Sequence, residues 1–192
     1  MLEKEQSMRQ LTKRAIADSF CALLKERSID KITVKDIVTE CGINRQTFYY
    51  HFCDIYDLME WLLYDDIKLY ISNYPIADGD WQAAIKVIFQ FFYANRTIVL
   101  HAYSPANRAQ YEQFIIKRIS PVVKERIDCY PQSKNVPEEK LEFIQKVYTW
   151  ACTDLIFEWL EEGMPDENAV RLDDYFTIMN GSLGAALDSF IK

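Results

Sequence analysis

The sequence predicts an all-α protein: a three-helix N-terminal module carrying a helix-turn-helix, followed by a larger helical bundle, about nine helices in all. Three observations lead there. Apolar residues recur at spacings of three and four along nearly the whole chain, the period of a helix buried on one face. Only 5 Gly and 6 Pro occur in 192 residues, too few turns for an architecture of many short strands. Helix-start signals crowd the region between residues 33 and 57, which leaves room only for short helices and tight turns. Hydrophobic residues make up 49% and charged residues 27%, enough apolar material for a packed core and too much for wholesale disorder.

The elements follow in order. A first helix is expected from about Lys4 to Lys25, with Leu11, Ala15, Ile16, Phe20, Leu23 and Leu24 on its apolar side and Arg9, Lys13 and Arg14 in its first half. Thr33 with Asp36 reads as a capping box opening a second helix, whose inward residues are Ile37 and Val38. Gly42 can take the left-handed conformation that ends it. Asn44 caps a third short helix, Arg45 to His51. Asp54 with Asp57 opens a fourth, running to about Asn73. Residues 55–79 are read as a connecting helix and a link, and the turn-rich stretch from Asn73 to Asp80, with Pro75 and Gly79, is taken as the domain boundary. Trp81 to Ala94 is apolar on most sides, the mark of a buried bundle helix. Arg96 to Tyr103 forms a shorter one. Ser104-Pro105 begins the next, and Pro121 predicts a kink or break within it. Pro137 with Glu138 and Glu139 opens a helix that stops at Gly163, and a last helix spans about Glu167 to Phe190.

Charge divides by position. Residues 1–54 hold nine basic and eight acidic residues, whereas the remainder holds 13 basic and 21 acidic. The whole chain carries −7, yet its first quarter is suited to phosphate and the rest would be repelled by it. The five cysteines, Cys21, Cys41, Cys53, Cys129 and Cys152, are odd in number and lack zinc spacing, so reduced, mostly buried thiols are expected, with no metal and no cofactor. The charged N-terminus has no secretory core, and no run reaches the roughly 18–20 apolar residues of a membrane span. A cytoplasmic location without membrane association is the expectation.

The stretch TVKDIVTECGINRQTFYYHF has the parts of a helix-turn-helix: two short helices, a glycine turn, and a second helix whose polar residues face outward. Phe48 and Phe52, four apart, pack inward. Arg45, Gln46, Thr47, Tyr49, Tyr50 and His51 then point elsewhere, with no acid among them. Arg45 can pair bidentately with guanine and Gln46 with adenine. Thr47 and the tyrosines can donate to phosphates or touch thymine methyls.

The residues from Thr33 to Phe52 resemble the signature of the TetR family, T-x-x-x-I-A-x-x-x-G-V-S-x-x-T-F-Y-x-H-F, matching at Thr33, Ile37, Gly42, Ile43 for Val, Thr47, Phe48, Tyr49, His51 and Phe52. The resemblance implies a homodimer whose third helix reads the major groove of palindromic double-stranded DNA. It implies DNA-binding residues Thr33, Lys35, Arg45, Gln46, Thr47, Tyr49, Tyr50 and His51. It also implies C-terminal helices that form the dimer interface and a pocket for a small-molecule effector, so that residues 80–192 serve dimerisation and effector binding. One departure stands out: where many members hold a phosphate with lysine at the second residue of the fourth helix, this chain has Ile55 after Asp54, and the helix end itself is the expected substitute.

Beyond residue 80 the motifs fade. Leu141, Ile144, Val147, Tyr148, Ala151, Leu155 and Trp159 form one wide apolar face; Tyr175, Ile178, Met179, Leu183, Ala186, Leu187 and Phe190 form another. Together they suggest a symmetric four-helix interface. Aromatic residues in this half could wall a pocket, with His101, Asn95, Arg96 and Thr149 as its polar groups, or could equally be core. The stretch FEWLEEGMPDE is similar to a branch of the family, found in Firmicutes, that includes regulators of dihydroxyacetone kinase operons and can act through a protein partner. The leading expectation is a ligand-responsive repressor, and the alternative is an activator or co-regulator controlled by a protein. No G-x-S-x-G, phosphate loop or H-E-x-x-H occurs, so an enzyme is not expected.

Overall fold

The structure is a computed structural model, and it describes residues 2–74, 80–166 and 171–191. Among these there are nine α-helices and no strand: α1 (Leu2–Glu26), α2 (Val34–Cys41), α3 (Arg45–His51), α4 (Ile55–Ser72), α5 (Trp81–Ala94), α6 (Arg96–Ala102), α7 (Arg108–Asp128), α8 (Glu138–Glu161) and α9 (Leu172–Asp188). Short 3-10 turns at Ile29–Lys31, Pro105–Asn107 and Pro131–Asn135 join some of them. No single helix among the described residues is long and apolar enough to cross a membrane. The link at 75–79 and the expected start of the last helix at Glu167 lie outside the described residues.

The chain forms two compact units. The first comprises Met1–Asn73 together with Ala94–Arg108, the second Tyr74–Tyr93 together with Ala109–Lys192. The first division falls between Asn73 and Tyr74. Residues 55–73 are part of the first unit, because α4 buries Leu58, Met59, Leu62 and Leu63 and sends Asp65 and Asp66 to Arg14 of α1. Residues 94–108 also join it. His101 of α6 donates its Nδ1 proton to the Leu24 carbonyl across 2.6 Å, Ser104 donates its hydroxyl to Asp30 at 3.1 Å, and Val99 and Ala102 are buried.

The first unit closes over Ile16, Ala17, Phe20, Leu24, Ile37, Phe48, Phe52, Leu58 and Leu62, each at most 2% exposed. Leu11, expected on the apolar side of α1, is instead exposed, as is Ala15. The buried stripe of α1 begins only at Ile16, where later helices have residues to set against it.

In the second unit, Phe89 and Tyr93 of α5 lie 5.4 Å and 6.3 Å from Trp159 of α8. Trp81 meets Phe176 of α9 edge-on at 5.0 Å. Helices α8 and α9 are tied by polar groups as well. Tyr175 donates its hydroxyl to the Tyr148 carbonyl at 3.0 Å, and the Tyr148 hydroxyl reaches Ser182 at 2.7 Å. Burial pushes the Tyr175 phenol far above its ordinary value, so it donates at any physiological pH. Pro121 does not break its helix: α7 runs continuously from 108 to 128. Beside it, Gln145 of α8 donates to both the Ser120 carbonyl and hydroxyl, an anchor from the neighbouring helix at the point where proline removes a backbone donor. The five cysteines are free, and only Cys152 is buried, its thiol pushed up to about 12; Cys53 and Cys129 are exposed, against the expectation of mostly buried thiols.

Candidate nucleic-acid interface

The helix-turn-helix is built by local chemistry. Thr33 and Asp36 form a reciprocal box: the Thr33 hydroxyl accepts from the Asp36 amide at 3.3 Å, and the Asp36 carboxylate accepts from the Thr33 amide at 2.9 Å and its hydroxyl at 2.8 Å. These bonds hold the Asp36 carboxyl below the usual carboxylate range. Gly42 ends α2 at φ 71°, a conformation that costs other residues a Cβ clash. Asn44 then caps α3, its carbonyl oxygen accepting from the Thr47 amide at 2.8 Å.

The box yields a testable outcome. Thr33→Ala removes the cap acceptor and is expected to cost about 1 kcal/mol, read as a lower midpoint in urea unfolding at neutral pH. The folded Asp36 value is depressed, so its contribution is present above the unfolded pKa and disappears as pH falls through the folded one. The gap between variant and wild type should therefore narrow on acidification below the ordinary value of 3.8. A gap that is constant with pH would separate the cap from the carboxylate.

Phe48 is fully buried and Phe52 is 2% exposed, with ring centroids 5.9 Å apart. They fix α3 so that four of its other residues face out. Arg45, Gln46, Tyr49 and Tyr50 are exposed, the tyrosines by 57% and 66%, and Lys35 of α2 is exposed as well. Arg45 with Tyr49 and Gln46 with Tyr50 are four apart, so these side chains share one side of α3. Tyr49 is set edge-on against Phe48 at 5.5 Å, which limits its swing.

Three of the expected contact residues have other commitments. Both donors of Thr33 are engaged by Asp36. The Thr47 hydroxyl donates to Asn44 at 3.1 Å, and the residue is half-buried. His51 is half-buried beneath Tyr50, and its Nδ1 is buried without a hydrogen-bond partner. Burial, then the charges of Arg9 and Lys13, push its pKa down, so the imidazole is neutral at pH 7.

The start of α4 does not supply the expected phosphate site. Asp54 accepts from the Tyr56 and Asp57 amides, each at 2.8 Å, and Asp57 accepts from the Cys53 amide at 2.8 Å. The helix end is capped by the chain's own carboxylates, which also place negative charge where a phosphate would come.

Of the polar groups expected around an effector, His101, Asn95 and Arg96 belong to the first unit and Thr149 to the second. His101 is a structural tie to Leu24. Thr149 is 2% exposed and its hydroxyl lacks a partner, which leaves it as the candidate polar group of the second unit.

Of the expected dimer faces, Ile144, Trp159, Tyr175, Met179, Leu183 and Leu187 are core, whereas Val147 and Ile178 are exposed. What α8 and α9 leave uncovered is Phe143 (58%), Val147 (45%), Trp150 (50%) and Ile178 (64%). The spacing of 143, 147 and 150 marks one face of α8, but these residues are interleaved with Lys146 and Gln145, which hides the stripe from a simple apolar count.

The family model for the tetR family of bacterial regulatory proteins matches residues 16–61. A second, for a transcriptional regulator C-terminal region, matches residues 79–181. The chain belongs to the TetR family. TetR-family proteins are DNA-binding transcription regulators and not enzymes. The chain is 28% identical over 86 residues to the HTH-type dhaKLM operon transcriptional activator DhaS of Lactococcus lactis subsp. lactis (strain IL1403); the match spans 45% of this chain and only 46% of that relative. Two solved structures share the fold. The dihydroxyacetone kinase operon activator DhaS superposes with a TM-score of 0.63 at 20% identity, covering 94% of this chain and 98% of that one. A TetR transcriptional regulator from Streptococcus agalactiae 2603V gives 0.55 at 20% identity, with full coverage of both.

Proposed function

We propose that this TetR-family regulator acts as a homodimer, placing α3 of each protomer in successive major grooves of a two-fold operator. The observation that carries this reading is the outer side of α3: Arg45, Gln46, Tyr49 and Tyr50 are exposed on a helix whose other side is locked by fully buried Phe48. Arg45 presents a planar fork suited to guanine O6 and N7, Gln46 an amide suited to adenine, and Lys35, Tyr49 and Tyr50 reach phosphate or thymine methyl groups. Thr33 caps α2, Thr47 is tied to the Asn44 cap of α3, and half-buried His51 lies at the end of α3, so these three support the motif.

Arg45→Ala is expected to relax base preference at one position per half-site, with a loss of about 1–3 kcal/mol per half-site on the best sequence. Selection from a randomised duplex pool, compared between wild type and variant, reads this directly. An unchanged sequence preference would remove Arg45 from base readout.

Under this reading residues 80–192 dimerise the protein and take an effector, and an effector that prefers the DNA-incompetent state shifts the population off the operator, making the protein a ligand-responsive repressor. A second reading, that of an activator or co-regulator controlled by a protein partner, is favoured by the relatives named as activators of a dihydroxyacetone kinase operon. Transcription of the neighbouring operon in a deletion strain separates them: higher expression supports the repressor, lower expression the activator.

A further inference from the structure

Two cations of α1, Arg9 and Lys13, stand beside the end of the reading helix. The Arg9 guanidinium lies 5.2 Å from the Tyr50 ring centroid. The Lys13 ammonium lies 5.0 Å from that of Phe52 and 5.5 Å from that of Trp61 in α4. Being four residues apart, the two project from the same side of α1. Among the described residues neither has a carboxylate within ion-pair distance. The next basic residue, Arg14, is held by Asp18, Asp65 and Asp66, and in the second unit Lys86, Lys124, Lys140 and Arg171 each sit beside an acid.

Aromatic rings hold a cation in place without cancelling its charge. A guanidinium over a ring keeps its N–H groups available in its own plane for phosphate oxygens. Both charges lie close enough to His51 to add to the effect of burial in lowering its pKa. The carboxylates at the start of α4 close the helix end to a phosphate.

Resting on the DNA-binding reading, we propose that Arg9 and Lys13 form a phosphate clamp, with Tyr50 and Trp61 as its positioning rings, that grips the DNA backbone alongside the groove read by α3. The clamp supplies affinity without base preference.

A phosphate contact is independent of sequence, so the test needs no operator. Binding to a random-sequence 30-bp duplex would be followed by fluorescence anisotropy between 50 and 200 mM KCl for wild type, Arg9→Gln, Lys13→Met and, as a charge control in the second unit, Lys134→Met. Methionine keeps the apolar stem that Lys13 lays on Phe52 and Trp61, and circular dichroism verifies that each variant is folded. Each lost phosphate contact should reduce the magnitude of the log–log salt slope by ~0.9 per protomer. The expected result is that reduction for Arg9→Gln and for Lys13→Met, with the slope of Lys134→Met unchanged and the ranking of selected sequences preserved. Wild-type slopes in both α1 variants, or an equal reduction in all three, would overturn the clamp while leaving the regulator in place. Wild-type protein without salt-dependent binding would overturn the DNA-binding reading and the clamp with it.

Discussion

Phe48→Ala should cost the first unit about 3–5 kcal/mol, the largest stability loss expected from any single change in the DNA-reading region. Phe48 is fully buried, packs against Tyr49 and Phe52, and sits mid-way along a helix of only seven residues. So short a helix cannot hold itself together in water and depends on its buried face. Truncation removes the transfer energy of the ring and leaves a cavity beside Phe52, in a unit whose core residues are already at 0–2% exposure and cannot readily collapse to fill it. Against a total stability of about 5–15 kcal/mol for a domain, the unit should melt on the order of 20 °C lower and lose DNA binding before the second unit unfolds. Thermal melting followed by circular dichroism, with DNA anisotropy in parallel, reads both. Tyr49→Ala is the control: at 57% exposure it should leave the melt nearly unchanged while weakening DNA binding. If Phe48→Ala melts within a few degrees of wild type, the account of how α3 is held is wrong.

The second large effect is expected at the uncovered apolar stripe of α8 and α9. Val147 and Trp150 are four and seven residues beyond Phe143, and Ile178 of α9 is the most exposed of the four. Next to Ile178 the helix carries Gly181, beyond which there is open space, and exposed Ala185. Exposed Phe143, Val147 and Trp150 on α8, and exposed Ile178 with small residues on α9, are of the kind that a second helix pair covers. If the proposed homodimer forms through this face, the double substitution Val147→Glu with Trp150→Glu should convert it to a folded monomer, seen as halved mass in light scattering after size exclusion. Losing the linked second half-site should lower operator affinity by roughly 10²–10⁴-fold. Helical content should be preserved, because neither side chain contributes to the protomer core. A variant that remains dimeric with wild-type DNA affinity would place the interface elsewhere.

What could be read from the sequence was what is decided within a few residues. The Thr33–Asp36 box, the Gly42 stop, the Asn44 cap and the pair Phe48 and Phe52 depend on contacts three or four positions apart, and all appear where the spacing put them. The family signature lies on the same residues, so the fold class came with it. What depended on distant partners was less legible. His101 has the composition of a pocket residue, yet its proton goes to a carbonyl 77 positions earlier. Leu11 continues the period of α1, but no later helix covers it. The wide apolar faces of α8 and α9 divide into core and exposed stripe according to where α5 and α7 pack, and Phe143 and Trp150 were concealed by the polar residues between them. Arg9 and Lys13 could have been singled out by one signal: they are basic residues of α1 spaced to meet the aromatic run at Tyr50 and Phe52.

The first unit is assembled from two separated pieces of chain, and this has a consequence for its synthesis. Residues 1–73 leave the ribosome first, but the segment that supplies Val99, His101 and Ser104 to them follows only after all of α5 has been made. Domains made N-terminal first generally fold as units during translation, and here the earliest unit must wait for residue 108. Meanwhile α5 presents Phe89 and Tyr93 to a growing chain in which Trp159, their partner, is still tens of codons away. A nascent chain arrested between these points holds the helix-turn-helix and an unshielded aromatic helix at once, the kind of exposed apolar surface that makes incomplete chains prone to aggregate.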